Sequence, residues 1–253
     1  MDSYKYKIFV INLDRATLRW EKMRVQLERL GLPFERFSAV DGNAQSGEFL
    51  SRYYCAESNK KDYYAPLSKS EIACYISHLK ACEKIVAENL DYAIILEDDV
   101  VLKDSFKLVP WALASIKNWS YIKLIAPFKK KKIVSSSPVV FEIPEGCEAG
   151  AKSVSPTFEL VRWKKPPAGT QAYAITKAGA KEFFSKRSRF SRPIDMDLQF
   201  TWETNLEIEG LVPSSCALSD DASQIAHKEK PHYPFAHFVY KLKYAKLRRL
   251  FSK

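Results

Sequence analysis

The 253-residue chain lacks any apolar run near the ~18–20 residues that a membrane-crossing helix needs. Its first residues, Met1-Asp2-Ser3-Tyr4-Lys5-Tyr6-Lys7, lead straight into a short strand-like run, without an apolar signal segment or small-residue cleavage site. Cysteine is sparse: Cys55, Cys74, Cys82, Cys147 and Cys216 are odd in number, scattered and free of any CxxC pair. That argues against a disulfide scaffold or a zinc site and for a reducing compartment, a cytoplasm. No nucleic-acid-reading motif accompanies the net charge of +10, so no nucleic-acid partner is expected. The charge is also uneven. Residues 228–253 hold eight basic residues against Glu229 alone, seven of the ten net positive charges.

What is present centres on Tyr92-Ala93-Ile94-Ile95-Leu96-Glu97-Asp98-Asp99-Val100. Five apolar or aromatic residues run into three consecutive carboxylates. Such a run reads as a strand buried on both faces in the middle of an α/β sheet. Ligands in open α/β sheets bind at the carboxyl ends of strands. Three adjacent negative charges repel one another, and a hard divalent cation such as Mn2+ or Mg2+ relieves that repulsion through carboxylate oxygens. The plainer alternative is a solvated acidic turn.

Around this stretch, strand and helix alternate from residue 7, which predicts a mainly parallel sheet flanked by helices, an α/β fold. Lys7–Ile11 reads as a strand, followed by a helix with Trp20, Met23, Leu27 and Leu30 on one face and Gly31 at its end. Pro33–Val40 reads as a second strand ending in the Asp41-Gly42 turn. Arg15 and Arg19 begin this first unit and suit phosphate. Residues 43–67 read as a long loop with some helix. Ser68-Lys69-Ser70-Glu71 is a capping box opening a helix that carries His78. A helix is expected over 101–119, a strand over 121–125, an inserted hairpin or loop over 129–156, a strand over 168–175 and another over 211–218. Asp195 and Asp197 follow Pro193, where either can cap a helix or serve as a general base. Phe235, Phe238, Val239 and Leu242 share one helical face beside Lys241, Lys243, Lys246, Arg248 and Arg249. That basic amphipathic tail, 231–253, is expected to lie on an anionic membrane surface, beyond a single domain at 1–230.

Six segments, in order, resemble glycosyltransferase family 25, the lipooligosaccharide-type galactosyltransferases. They are Ile11-Asn12-Leu13-Asp14-Arg15, Ala39-Val40-Asp41-Gly42, Glu71 to His78, Ile94 to Val100, Gly169-Thr170-Gln171-Ala172-Tyr173 and Pro193-Ile194-Asp195. The resemblance spans residues 7 to about 230. It implies a GT-A-type nucleotide-sugar fold and inverting transfer of a hexose, usually galactose, from UDP-galactose (or UDP-glucose). The implied acceptor is a lipid-linked lipooligosaccharide or lipopolysaccharide core, and the implied setting is the cytoplasmic face of a bacterial inner membrane. Glu97, Asp98 and Asp99 take the place of the family's acidic metal motif, with Glu97, Asp99 and His227 implied around Mn2+ or Mg2+. Asp195 is the implied base and Asp197 its runner-up. Asn12, Leu13, Arg15, Arg19, Asp41, Glu71, His78, Asp98 and Thr170 are expected to hold the nucleotide sugar. The chain departs from the family pattern at Ser70 and Ala73, where Gly is usual, and at Trp20, where a second Arg is common.

Overall fold

A computed structural model describes residues 4–125, 133–142, 158–219 and 233–251. Strand β1 (Tyr6–Asn12) sends Ile8 and Val10 to one face of the sheet and Phe9 and Ile11 to the other. Two apolar layers result, one on each side of the sheet. Helix α1 (Thr17–Arg29) buries Met23 and Leu27 on the Ile8 side, and Gly31 ends the unit with φ +65°, a value glycine adopts without strain. Strand β2 (Glu35–Ser38) follows. The segment from 43 to 67 carries two short helices, α2 (Gly47–Ser51) and α3 (Ala56–Asp62).

Helix α4 (Lys69–Ala87) is opened by the capping box: Ser68 Oγ accepts from the Glu71 amide, and Glu71 accepts from the Ser68 amide at 2.9 Å. It buries Ile72, Tyr75, Ile76, Leu79, Cys82 and Ile85 against the Phe9 side of the sheet. Strand β3 (Tyr92–Glu97) is buried along its length up to Glu97, as an apolar run covered on both faces requires.

The helix expected over 101–119 is replaced by three pieces: β4 (Val100–Leu102), a 3-10 turn at Asp104–Leu108, and α5 (Val109–Ser115). The β-branched pair Val100-Val101 favours extended backbone and pairs antiparallel with β10, given below. Pro110 lacks an N–H and fits only the first turn of a helix, so α5 starts there.

Strand β5 (Tyr121–Lys123) lies in the sheet. Strands β6 (Ile133–Val139) and β7 (Phe158–Trp163) pair antiparallel at one end of it. Strand β8 (Ala172–Thr176) leads into α6 (Lys177–Lys186), which Thr176 caps. One turn, α7 (Ile194–Asp197), follows Pro193. The strand expected over 211–218 divides into β9 (Ile208–Val212) and β10 (Cys216–Leu218), because Pro213 offers no N–H to a ladder. Helix α8 (Pro234–Phe251) ends the described chain.

The sheet order is β2-β1-β3-β8-β5-β9-β7-β6. Six strands point one way, and β7 and β8 are reversed. The reversal of β8 matters most. It is inserted between β3 and β5, with Leu96 opposite Ala172 and Lys123 opposite Tyr173. The amino end of β8 therefore meets the carboxyl ends of β3 and β5.

Candidate active site

The carboxyl ends of β1, β2 and β3 and one face of α4 converge on one cavity. Its wall includes Leu13, Arg15, Arg19, Asp41, Ser70, Cys74, Ser77, His78, Glu97, Asp98 and Asp99. The loop after β2 comes so close to α4 that a Cβ on Gly42 would sit 2.3 Å from the Lys69 carbonyl oxygen. Only glycine fits there. Ser77 steadies the same loop by accepting from the Val40 amide at 2.9 Å. Asp41 is held twice: its Oδ1 accepts from the Asn43 amide, and its Oδ2 stands 3.0 Å from Arg15 Nε.

The three carboxylates have different surroundings. Asp98 accepts from Asn12 at 2.7 Å and from Arg19 at 3.0 Å. Glu97 accepts the Thr170 hydroxyl at 2.6 Å, and His78 Nε2 lies 3.4 Å from its Oε1. Burial alone would raise the Glu97 carboxyl. His78, the Thr170 hydroxyl and the Lys123 cation outweigh it and hold the carboxylate below its ordinary range. Asp99 gets less help, from the Arg19 charge and its own backbone amide only. Its Oδ1 is buried without a hydrogen-bond partner. Burial first, then the charges of Glu97 and Asp98, push its carboxyl up to about 6. A partnerless buried oxygen in a field of like charge is what a divalent cation corrects. The donors present thus fit Mn2+ or Mg2+ at Asp99, with Glu97 as the neighbouring carboxylate.

Several expected site residues act at one remove. Asn12 is buried and faces protein on every side: it donates to Asp98 and to Ala16 O, and accepts twice from Arg36. Its role is to position Asp98. Glu71 closes the capping box, and its neighbour Ser70 lines the cavity instead. Thr170 reaches the site through Glu97. Asp195 stands outside the cavity wall, where Lys123, Glu97 and Glu71 all act on it. Burial raises its carboxyl, although the Met196 amide donates to it at 2.8 Å.

Asp197 is not available as a base. It is 3% exposed and sits among Arg187 (2.6 Å), Arg192 (2.6 Å) and the Tyr75 hydroxyl. It anchors α7 to α4 and α6. His227 lies outside the described residues, as do Lys129 to Lys132.

Two residues enter that sequence reasoning missed. Lys123 is 2% exposed and donates to the Gly169 carbonyl, and burial lowers its ammonium to about 8. A lysine inside Tyr121-Ile122-Lys123-Leu124-Ile125 was the available signal. Arg36, on β2, clamps Asn12 and stacks over Trp20 at 5.5 Å.

Helix α8 buries Tyr240 and Tyr244 against Tyr63, Tyr64, Phe200 and Trp202. Its opposite side leaves Phe235, Phe238, Val239 and Leu242 exposed. Among the described residues no helix is long and apolar enough to cross a membrane.

A helix-flanked mixed sheet with an acidic strand end beside a cavity makes this an α/β protein with a nucleotide-sugar-type site geometry at the strand ends. Comparison with known proteins gives the family. The model of glycosyltransferase family 25 (LPS biosynthesis protein) matches residues 5–198, and the chain belongs to that family. A glycosyltransferase 25 family member of Aedes aegypti is 36% identical over 107 residues, 40% of this chain and 17% of that protein. The inactive glycosyltransferase 25 family member 3 of Mus musculus is 26% identical over 191 residues, 72% of this chain and 29% of that one. The lipooligosaccharide biosynthesis protein lic2B of Haemophilus influenzae is 29% identical over 97 residues, 38% of this chain and 35% of that one. The match thus spans about a third or less of each of these relatives. A solved glycosyltransferase involved in glycosylation of the major capsid of PBCV-1 aligns over 73% of this chain and 65% of its own, at 13% identity. Its TM-score of 0.34 is too low to bear on the fold.

Proposed function

We propose that this chain transfers a hexose, galactose first, from a UDP-sugar to a saccharide acceptor with inversion at the anomeric carbon. The observation that carries this reading is Asp99: a buried, partnerless carboxylate oxygen at the end of β3, beside Arg15 and Arg19 in one cavity. Arg15 and Arg19 supply positive charge for the diphosphate. Leu13 and Asp41 border the place for the nucleoside. Asp99, with Glu97 beside it, would hold Mn2+ or Mg2+, and such an ion when bound neutralises charge on the departing diphosphate. Inversion takes one displacement. The acceptor oxygen bonds to the anomeric carbon as the bond to UDP breaks, and the hydroxyl proton passes to a base. Asp195 is that base, its carboxyl raised by burial toward the working pH and set among Lys123, Glu97 and Glu71.

The acceptor is proposed to be a lipid-linked oligosaccharide, reached at an anionic membrane surface on which α8 lies. The name of the Haemophilus relative supports that class of acceptor. A second reading, a noncatalytic nucleotide-sugar-binding protein, takes its support from the mouse relative named inactive.

UDP release from UDP-galactose and UDP-glucose, with Mn2+ or with EDTA, in wild type and Asp99→Asn, tests the proposal. Turnover of one donor, lost on chelation and in the variant, supports transfer and fixes the sugar. Turnover indifferent to both changes removes Asp99 from the mechanism. Metal-dependent UDP binding without turnover on any supplied acceptor favours the noncatalytic reading.

A further inference from the structure

We infer that Cys74, His78 and Glu97 form a second metal site, selective for Zn2+ over the hard cation assigned to Asp99. Cys74 and His78 are four residues apart on α4 and so share one face of that helix. Glu97 faces them from the end of β3. One ligand atom from each lies within 4.8 Å of the others. His78 Nε2 and Glu97 Oε1 are 3.4 Å apart. Two ligands each about 2.1 Å from a tetrahedral ion stand roughly 3.4 Å apart, so this edge already has the required length. The thiol needs an adjustment of about an ångström, within reach of one side-chain rotation.

A second observation points to a ligand. The His78 side chain is fully buried, and its Nε2 meets no well-formed hydrogen-bond partner, only Glu97 Oε1 at 3.4 Å. Its other nitrogen, Nδ1, is 2.9 Å from the Tyr173 hydroxyl. In the metal-free site His78 Nε2 points its proton at Glu97; a bound ion would take that proton's place, with Nδ1–H donated to Tyr173 and the Nε2 lone pair on the metal. Metal-bound histidines are oriented in this way by an outer partner, and bound carboxylates are likewise hydrogen-bonded from behind. Thr170 supplies that second contact, donating to Glu97 at 2.6 Å. The carboxylates of Glu97, Asp195 and Asp99 around Cys74 favour a cation there, and a bound cation deprotonates a coordinating thiol outright.

Donor chemistry separates the two sites. Thiolate and imidazole suit zinc, whereas the carboxylates of Asp99 and Glu97 with phosphate oxygens suit Mn2+ or Mg2+, and Glu97 borders both positions. The absence of paired cysteines speaks against a structural zinc site of the finger kind. This site has three protein ligands, and all three line the cavity. Its fourth position is left to a water or a substrate oxygen, the arrangement of catalytic rather than structural zinc.

Cobalt is the probe. The purified full chain, stripped with chelator, is titrated with Co2+. The expected result is a thiolate-to-cobalt charge-transfer band with the intense visible bands of a tetrahedral ion, saturating at one equivalent and displaced by Zn2+ but not by Mn2+. Cys74→Ser should abolish the charge-transfer band. Tyr173→Phe, which leaves all three ligands in place, should weaken Co2+ binding about 10–100-fold. No thiolate band at saturating Co2+, or an unchanged band in Cys74→Ser, overturns the proposal. The readout needs no donor or acceptor, so it stands or falls apart from sugar transfer.

Discussion

The Asn12 side chain bridges Arg36 and Asp98. Its amide nitrogen donates to Asp98 at 2.7 Å, while its oxygen takes two hydrogen bonds from the Arg36 guanidinium at 2.9 and 2.7 Å. One uncharged residue therefore ties a cation on β2 to the middle carboxylate of the acidic turn. Asn12→Ala leaves the buried ends of both partners unsatisfied. Urea unfolding should show a loss of about 1–3 kcal/mol, together with weaker UDP binding as Asp98 and Arg19 lose their fixed geometry. An unchanged unfolding midpoint would remove this bridge from the account.

Asp195 and Asp197 are two residues apart and predicted to behave oppositely. Asp195→Asn should lower kcat by about 10²–10⁴-fold with little change in KM for the donor or in stability. Asp197→Asn strips compensation from Arg187 and Arg192, buried around it. It should cost about 3–5 kcal/mol in thermal or urea unfolding, with near-normal turnover per folded molecule. Equal stability of Asp197→Asn and wild type would contradict the anchoring role.

Lys123 gives a pH signature. Burial lowers its folded-state value to about 8 from 10.5. Between those two values the unfolded chain holds the proton and the folded chain does not, so stability rises with pH across that window. Below pH 8 the cost of burying the cation is fully present. Lys123→Met should therefore be more stable than wild type at pH 7, on the order of 1–3 kcal/mol, with the gap closing toward pH 10.5. A gap constant with pH would assign the effect to packing. Because Lys123 also holds the Glu97 and Asp195 carboxyls down, the acid limb of the pH–rate profile should move to higher pH in the variant.

Helix α8 should carry vesicle binding. Lys241, Lys246 and Arg249 are exposed on it, and each basic residue near an anionic surface contributes about 1 kcal/mol. Replacing all three with Gln should weaken co-sedimentation with phosphatidylglycerol vesicles about a hundredfold. Tyr240 and Tyr244 are untouched, so the helix stays docked. Binding unaffected by these changes, or equal binding to neutral phosphatidylcholine, would sink the membrane role.

The centre of this fold was readable because it rests on local rules. The run from Tyr92 to Leu96 is apolar throughout since both faces of β3 are covered, and the capping box at Ser68 and Glu71 is a short-range pattern. What could not be read depends on partners far away in sequence. Val100–Leu102 is a strand because Cys216–Leu218 pairs with it. Asp197 is structural because Arg187, Arg192 and Tyr75 surround it, which no spacing around Pro193 reveals. The same limit explains Lys123, whose importance comes from Gly169 and Glu97, contributed by separate turns. The exposed apolar stripe of α8 was visible as periodicity. Which side faces the protein was decided by Tyr240 and Tyr244 meeting Tyr63, Tyr64, Phe200 and Trp202.

The reversed strand β8 also sets an order of assembly. Strands β1, β2 and β3 can pair as soon as residue 97 has been made, and the acidic turn exists from that moment. Thr170, which orients Glu97, and Tyr173, which orients His78, arrive more than seventy residues later. Until they do, the edge of β3 that β8 will occupy is bare, and β5 has no bridge to the first half of the sheet. A nascent chain halted before residue 170 would thus display Glu97 without Thr170 and His78 without Tyr173, although Asp98 is already held by Asn12 and Arg19. The site becomes competent only when the last-arriving central strand closes the gap from the opposite direction.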